Sequence, residues 1–254
     1  MDTNKYLKKL EISPDEVELS YEFLCRLQFA HVTHIPYENL DILDGIPLKL
    51  DAESVFDKVI NSRRGGYCFE LNGLLSALLR ELGFCVRDFL GRFLKNEPSL
   101  PVRRHRVIAV DLGGETYICD VGMGQTAPKH PLRLVAGVEQ RQFGEAYKFE
   151  YDDIHGWTLY EFSHGEWRKF CSFTEEKQFE VDFILPSFYC EKHPDSPFTR
   201  GVMVAIKTEN GRKAINDRDF KIFADGKLTY IEENMTDERR LEVLSLEFGI
   251  DWRK

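Results

Sequence analysis

A chain of 254 residues with 43% hydrophobic and 30% charged side chains carries enough apolar material for one large domain or two to three small packed units, and its composition excludes disorder. Lys and Arg total 34 against 43 Asp and Glu, a net charge of −9 without basic runs. That excludes a nucleic-acid binder, because the phosphate backbone demands clustered cations. No apolar run approaches the roughly 20 residues of a membrane span, so no membrane partner is expected either.

The start, MDTNKYLKKLEISPDE, is polar and amphipathic and lacks the apolar centre and cleavage site of a secretory leader. Val17, Leu19, Phe23, Leu24, Leu27 and Phe29 form an amphipathic stripe, Asp51–Ile60 reads as a short helix capped by Asp51, and Phe69–Leu82 repeats leucine at helical spacing up to Gly83. From Val86 the period changes. The segments 106–112, 115–121 and 147–151 read as strands, whereas 179–186 is ambiguous by period. Further on, 201–208, a turn at Asn210-Gly211, 212–217 and 221–232 read as short hairpins, and Thr236 opens a helix over 236–250. The expected fold is α+β, with the order α, β, α/β packed as one body.

The six cysteines are scattered, with no C-x-x-C pair and no His/Cys cluster at zinc spacing. A reduced, cytoplasmic chain without a metal is therefore expected. Cys25, Cys85, Cys119 and Cys171 lie in apolar contexts and read as buried structural thiols. Cys68 is different. It follows Arg63-Arg64-Gly65-Gly66-Tyr67 and opens the leucine-rich helix, where unpaired N–H groups and the helix dipole favour thiolate. A nucleophilic thiol needs a base and an orienting acid. If Gly113-Gly114 is a two-residue turn, Leu112 pairs with Glu115 and Val107 falls opposite Asp120. His105 and Asp120 are then diagonal neighbours on one face, roughly 7–8 Å apart at Cα and within side-chain reach. Asp120 leaves its strand into Val121-Gly122-Met123-Gly124, which lets its carboxylate face a cleft. Cys68, His105 and Asp120 thus form one expected constellation. Spacing leaves open whether the acceptor is water or another nucleophile.

The segment RGGYCFELN resembles the active-site segment of the arylamine N-acetyltransferases. So do His34-Ile35-Pro36-Tyr37-Glu38-Asn39-Leu40, the His105 strand, YICDVGMG over 117–124 and SPFTRGVMVAIKTENGRKAI over 196–215. These motifs run in order over nearly the whole chain, and its length suits a compact prokaryotic-type member. The resemblance implies a helical bundle (1–85), a β-barrel (86–195) and an α/β lid (196–254) around a cysteine-protease-like core. It implies that Cys68 takes acetyl from acetyl-CoA and passes it to an arylamine, arylhydrazine or N-hydroxyarylamine, with His105 as base and Asp120 as its orienting acid. Arg64 and Glu38 would brace the site as an ion pair. Tyr37, Phe93 and Met123 match acyl- and aryl-pocket positions, Met123 standing where an aromatic residue is more usual. Tyr189, Phe198 and Thr199 match the region that contacts CoA. Pro101-Val102-Arg103-Arg104 stands where some relatives offer a small hydroxyl residue and glycine, and Arg103, Arg104 and Arg106 offer a local cationic patch for CoA phosphates. The alternatives are an amide synthase of the same fold and a Cys-His-Asp hydrolase of transglutaminase or cysteine-protease type.

Overall fold

The computed structural model describes residues 1–95, 97 and 99–252. Helices α1 (Thr3–Lys9), α2 (Tyr21–His34), α3 (Leu40–Leu43), α4 (Ala52–Phe56) and α5 (Cys68–Glu81) fill the first third. Their starts follow the capping residues: Asp2, Ser20 and Asp51 each accept a backbone N–H from the first turn. Ser20 also shortens the expected first stripe. Its side chain bonds Phe23 N, so Val17 and Leu19 lie before α2 rather than on it. Helix α4 runs on into a π-turn, Asp57–Asn61, close to the expected end at Ile60.

A two-residue strand, β1 (Tyr37–Glu38), interrupts these helices. The central part is an antiparallel sheet made of β2 (Cys85–Phe93), β3 (His105–Leu112), β4 (Glu115–Cys119), β5 (Leu132–Arg133), β6 (Gln140–Gln142), β7 (Glu145–Asp152), β8 (Gly156–Ser163) and β9 (Glu166–Phe173). Its order is β5-β4-β3-β2-β9-β8-β7-β6. The two edge strands meet through side chains. Gln140 bonds both the N–H and the C=O of Arg133 at 2.8 Å, and Gln142 does the same for His130 at 2.6 and 3.0 Å. Two amides thus stand in for the missing ladder and nearly close an eight-stranded barrel.

The ambiguous stretch 179–186 is helical. A 3₁₀ turn over Glu180–Phe183 flows into α6 (Ile184–Lys192), and Pro186 sits in the first turn, where its missing N–H costs nothing. The last third forms a second sheet, β1-β10-β11-β12-β13, from β10 (Met203–Thr208), β11 (Gly211–Asn216), β12 (Asp219–Ala224) and β13 (Lys227–Glu232), backed by α7 (Asp237–Phe248). Thr208 pairs with Gly211, so the turn is Glu209-Asn210, one residue earlier than the expected Asn210-Gly211. Gly211 is instead a strand residue, whose Cβ would lie 1.8 Å from Phe223 O.

Helix α5 is the central support. Leu71, Leu74, Leu75, Leu78 and Leu79 are each at most 1% exposed. At about 1.5–3 kcal/mol per fully buried leucine, this face alone anchors α5 against β2 and β3. Cys25, Cys119 and Cys171 are buried as expected, but Cys85 is exposed because it opens β2 at the rim, just after the Gly83 turn.

Candidate active site

Cys68 is the first residue of α5, and the turn before it is pressed against β1. Glu38 N donates to Gly66 O at 2.9 Å, and a Cβ at Gly65 would lie 2.0 Å from Pro36 O. Gly65 is therefore required by the approach of the Pro36-Tyr37-Glu38 segment, whereas a Cβ at Gly66 would lie 2.9 Å from Glu70 Cβ. Gly122 makes the same approach from the other side, because a Cβ there would lie 2.6 Å from Cys68 Cα.

The hairpin delivers the imidazole and the carboxylate together. Leu112 pairs with Glu115 across Gly113-Gly114, and the register runs back to Ile108 opposite Cys119. His105 Nε2 lies 2.5 Å from Asp120 Oδ2, with both residues buried. The other ring nitrogen, Nδ1, is not engaged by Asp120, and the imidazole and the Cys68 thiol lie close enough to shift each other's titration. The thiol also lies 3.7 Å from Arg104 O. Burial opposes a charge on His105, but the Asp120 carboxylate overrides it and raises the imidazole to about 10, with help from Cys68. Burial pushes the Cys68 thiol up, and His105 pulls against that rise.

Asp120 is held from three sides. Its Oδ1 accepts from Asn72 Nδ2 at 3.0 Å and Gly122 N at 2.9 Å, and its own N–H donates to Gln28 Oε1 at 3.1 Å. Asn72 lies one helical turn after Cys68. It also donates to Arg106 O at 2.6 Å and accepts from Val121 N at 2.9 Å, so one amide ties α5 to β3 and to the loop after β4.

A cavity of about 420 Å³ opens on Cys68 and His105. Tyr37, Phe93, Met123, Phe198 and Arg104 line it, while Arg103, Tyr189 and Thr199 do not. Tyr189 stacks on His193 at 4.4 Å, and Thr199 Oγ1 donates to Ser196 O within its own turn. The arginines around His105 diverge, so they form no single patch. Arg103 reaches Thr174; Arg104 pairs with Glu97 and stands over the Phe198 ring; Arg106 is fully buried. Strand alternation turns Arg106 inward, where it grips Asp88 at 3.0 Å and Glu180 at 2.7 Å. Among the described residues, no group of three or more His, Cys, Asp or Glu side chains is placed to hold a metal ion. No helix among them is long and apolar enough to cross a membrane.

Behind the Gly65-Gly66 turn lies a second polar cluster. Arg64 Nε donates to Glu38 at 3.0 Å and Nη2 to Asp41 at 2.8 Å, while Lys58 reaches Asp41 at 2.7 Å and Glu70 at 2.8 Å. Glu70 also accepts Tyr67 N at 3.1 Å, closing the start of α5. Burial raises the Glu70 carboxyl to about 7 against the pull of Lys58, with nearby Glu38 adding to the rise.

Comparison with known proteins places the chain. A family model described as N-acetyltransferase matches residues 20–254. The arylamine N-acetyltransferase of Mycolicibacterium smegmatis is 37% identical over 229 residues, covering 87% of this chain and 82% of that one. The chain belongs to the arylamine N-acetyltransferase family. It is an acyltransferase by that membership. The solved arylamine N-acetyltransferase from Salmonella typhimurium has a TM-score of 0.93 at 31% identity, covering 99% of this chain and 92% of that one. The Mycobacterium marinum arylamine N-acetyltransferase in complex with CoA has a TM-score of 0.91 at 32% identity, covering 98% and 93%. Within this member of the family, sequence reasoning missed Gln28, Asn72, Lys58, Asp41 and Glu70. Asn72 and Glu70 stood inside the motif segment; Asn72, four residues after Cys68, shares its α5 face, whereas Glu70 lies on the other side, against Lys58. Gln28 gave no signal, since an isolated glutamine in an amphipathic stripe reads as a solvated position.

Proposed function

We propose that the chain transfers acetyl from acetyl-CoA to arylamines, arylhydrazines or N-hydroxyarylamines by a ping-pong route through acetyl-Cys68. The observation that carries this reading is the meeting of Cys68 and His105 at the wall of the 420 Å³ cavity, with His105 bonded behind to the buried Asp120 carboxylate. Asp120 fixes the imidazole and makes it able to hold a proton at neutral pH, which is the charge a thiolate needs beside it. Cys68 attacks the thioester carbon; the C–S bond to CoA breaks, and the CoA sulfur leaves with the proton from His105. The amine nitrogen then attacks acetyl-Cys68 and gives its proton to His105, and the thiolate leaves.

Tyr37, Phe93 and Met123 supply the apolar wall against which an aryl ring packs, with Phe198 and Arg104 towards the donor side. Arg212 lines the same cavity, bonds the Gln125 amide at 3.4 Å and has no carboxylate within 4.0 Å among the described residues. It is the cation best placed to meet CoA phosphate charge, a role that Arg103 and Arg106 are turned away from. The segment 196–254 acts in this reading as the lid that keeps water from acetyl-Cys68. A reducing, cytoplasmic setting belongs to the same reading, since thiolate chemistry needs a reduced Cys68 and all six cysteines are free.

Initial rates with acetyl-CoA and an arylamine varied against each other test the route. Parallel double-reciprocal lines are expected. Intersecting lines would place both substrates on the enzyme together and contradict the acetyl-enzyme, and hydrolysis of acetyl-CoA at the same rate without amine would point to the hydrolase.

A further inference from the structure

Gln28 lies on α2, outside the motif segments quoted above for the family resemblance, and only 1% of its surface is exposed. Its Oε1 accepts from Asp120 N at 3.1 Å, and its Nε2 donates to Pro128 O at 2.8 Å. One planar amide therefore ties both ends of the stretch 120–128. That stretch begins with the acid of the Cys68–His105–Asp120 line and supplies Gly122, Met123, Gly124, Gln125 and Thr126 to the cavity wall. Its internal bonds are short turns, with Met123 O accepting from Thr126 N and Gly124 O from Ala127 N. Those turns shape the loop; apart from Gln28, it is tied to the rest of the protein by Asn72, which accepts from Val121 N at 2.9 Å, and by Arg212, which donates to Gln125 Oε1 at 3.4 Å.

We infer that Gln28 is a positioning residue for the transfer reaction. It sets the main chain of Asp120, and with it the carboxylate on His105, and it fixes how far the wall 122–126 stands from the thiol. This rests on the roles proposed above for Cys68, His105 and Asp120. The task needs an acceptor and a donor on one head group of this length. Leucine keeps much of the volume but leaves Asp120 N–H and Pro128 C=O unpaired. A protonated carboxyl supplies both functions, C=O towards Asp120 and O–H towards Pro128; an ionised one has lost the donor.

The test compares wild type, Gln28→Leu and Gln28→Glu from mildly acid to alkaline pH. It follows the rate of thiol acetylation by acetyl-CoA alone and kcat/KM for an arylamine. Gln28→Leu is expected to lose roughly 10- to 100-fold at every pH, the scale of a misplacement near 1 Å. Gln28→Glu should match wild type at the acid end and fall to the leucine level as pH rises, because burial beside Asp120 raises the introduced carboxyl. The charged groups around it are Asp120, His105 through Asp120, and Lys129 next to Pro128, whose Nζ is bonded to Glu209 O at 2.6 Å. His31, one turn along α2, is held neutral. Activities are taken as ratios to wild type, so titration of shared groups cancels. If Gln28→Leu does not fold, the pH-dependent ratio of Gln28→Glu decides alone. A ratio flat with pH, or a Gln28→Leu enzyme equal to wild type, overturns the inference while wild-type acetylation stands. A wild type whose thiol is not acetylated overturns the triad reading and this inference with it.

Discussion

On one side of the Gly65-Gly66 turn, Glu38, Asp41 and Glu70 meet Lys58 and Arg64; on the other, Cys68 and His105 face a cavity with Asp120 behind them. Both clusters are buried, polar and assembled from segments far apart in the chain. They differ in what is left over. Every cation of the first has a carboxylate, and the three carboxyls exceed the two cations by one, a surplus removed when Glu70 takes a proton near neutrality. The second keeps a thiol beside an imidazole, with open space in front of it. A compensated cluster fixes the start of α5, and an uncompensated one is free to react there. On the proposed function, stability belongs to the first and chemistry to the second.

Two substitutions break that division most sharply. Cys68→Ala is expected to cut turnover on the order of 10³-fold or more while leaving thermal unfolding unchanged. Arg64→Met should do the reverse first: it removes the close cation from buried Glu38, leaving only Lys58 at 4.0 Å, and costs about 3 kcal/mol in denaturant unfolding. Equal losses of stability in both variants would erase the distinction.

A smaller effect sharpens it from the edge of the helical part. His31 is buried against Tyr6, and neither ring nitrogen has a partner among the described residues. Burial lowers it from its ordinary 6.5 to about 3, with His34 adding a little. Between those values the unfolded chain binds a proton that the native chain refuses. The stability involved is therefore present above about pH 6.5 and lost as pH falls towards 3, at up to about 1.4 kcal/mol per pH unit. His31→Leu should flatten the acid limb of the stability curve and leave activity at neutral pH alone; an unchanged acid limb would remove His31 from the account.

The parts of the molecule legible in the sequence were those fixed by local rules. Asp51 and Thr236 cap their helices, Gly113-Gly114 sets the β3–β4 register, and the glycine pair before Cys68 marks the start of α5. What stayed hidden depends on contacts across the chain. Strand β2 carries Arg87, Asp88 and Arg92 among its apolar residues, and Asp88 is buried because it meets Arg106 and Ser76. That pairing spoils the simple alternation by which a strand is read. Cys85 read as buried from its neighbours, yet the rim exposes it. Gln28 and Pro128 are 100 residues apart, and only the fold shows that one closes the loop of the other.

The central claim is that Cys68 carries the acetyl group. Intact-protein mass spectrometry after mixing with acetyl-CoA, in the absence of amine, tests it most directly. A single acetyl adduct on Cys68, absent from Cys68→Ala and discharged by adding an arylamine or hydrazine, is the predicted result. An unmodified protein whose thiol still reacts with iodoacetamide would contradict it and move the acyl donor away from acetyl-CoA.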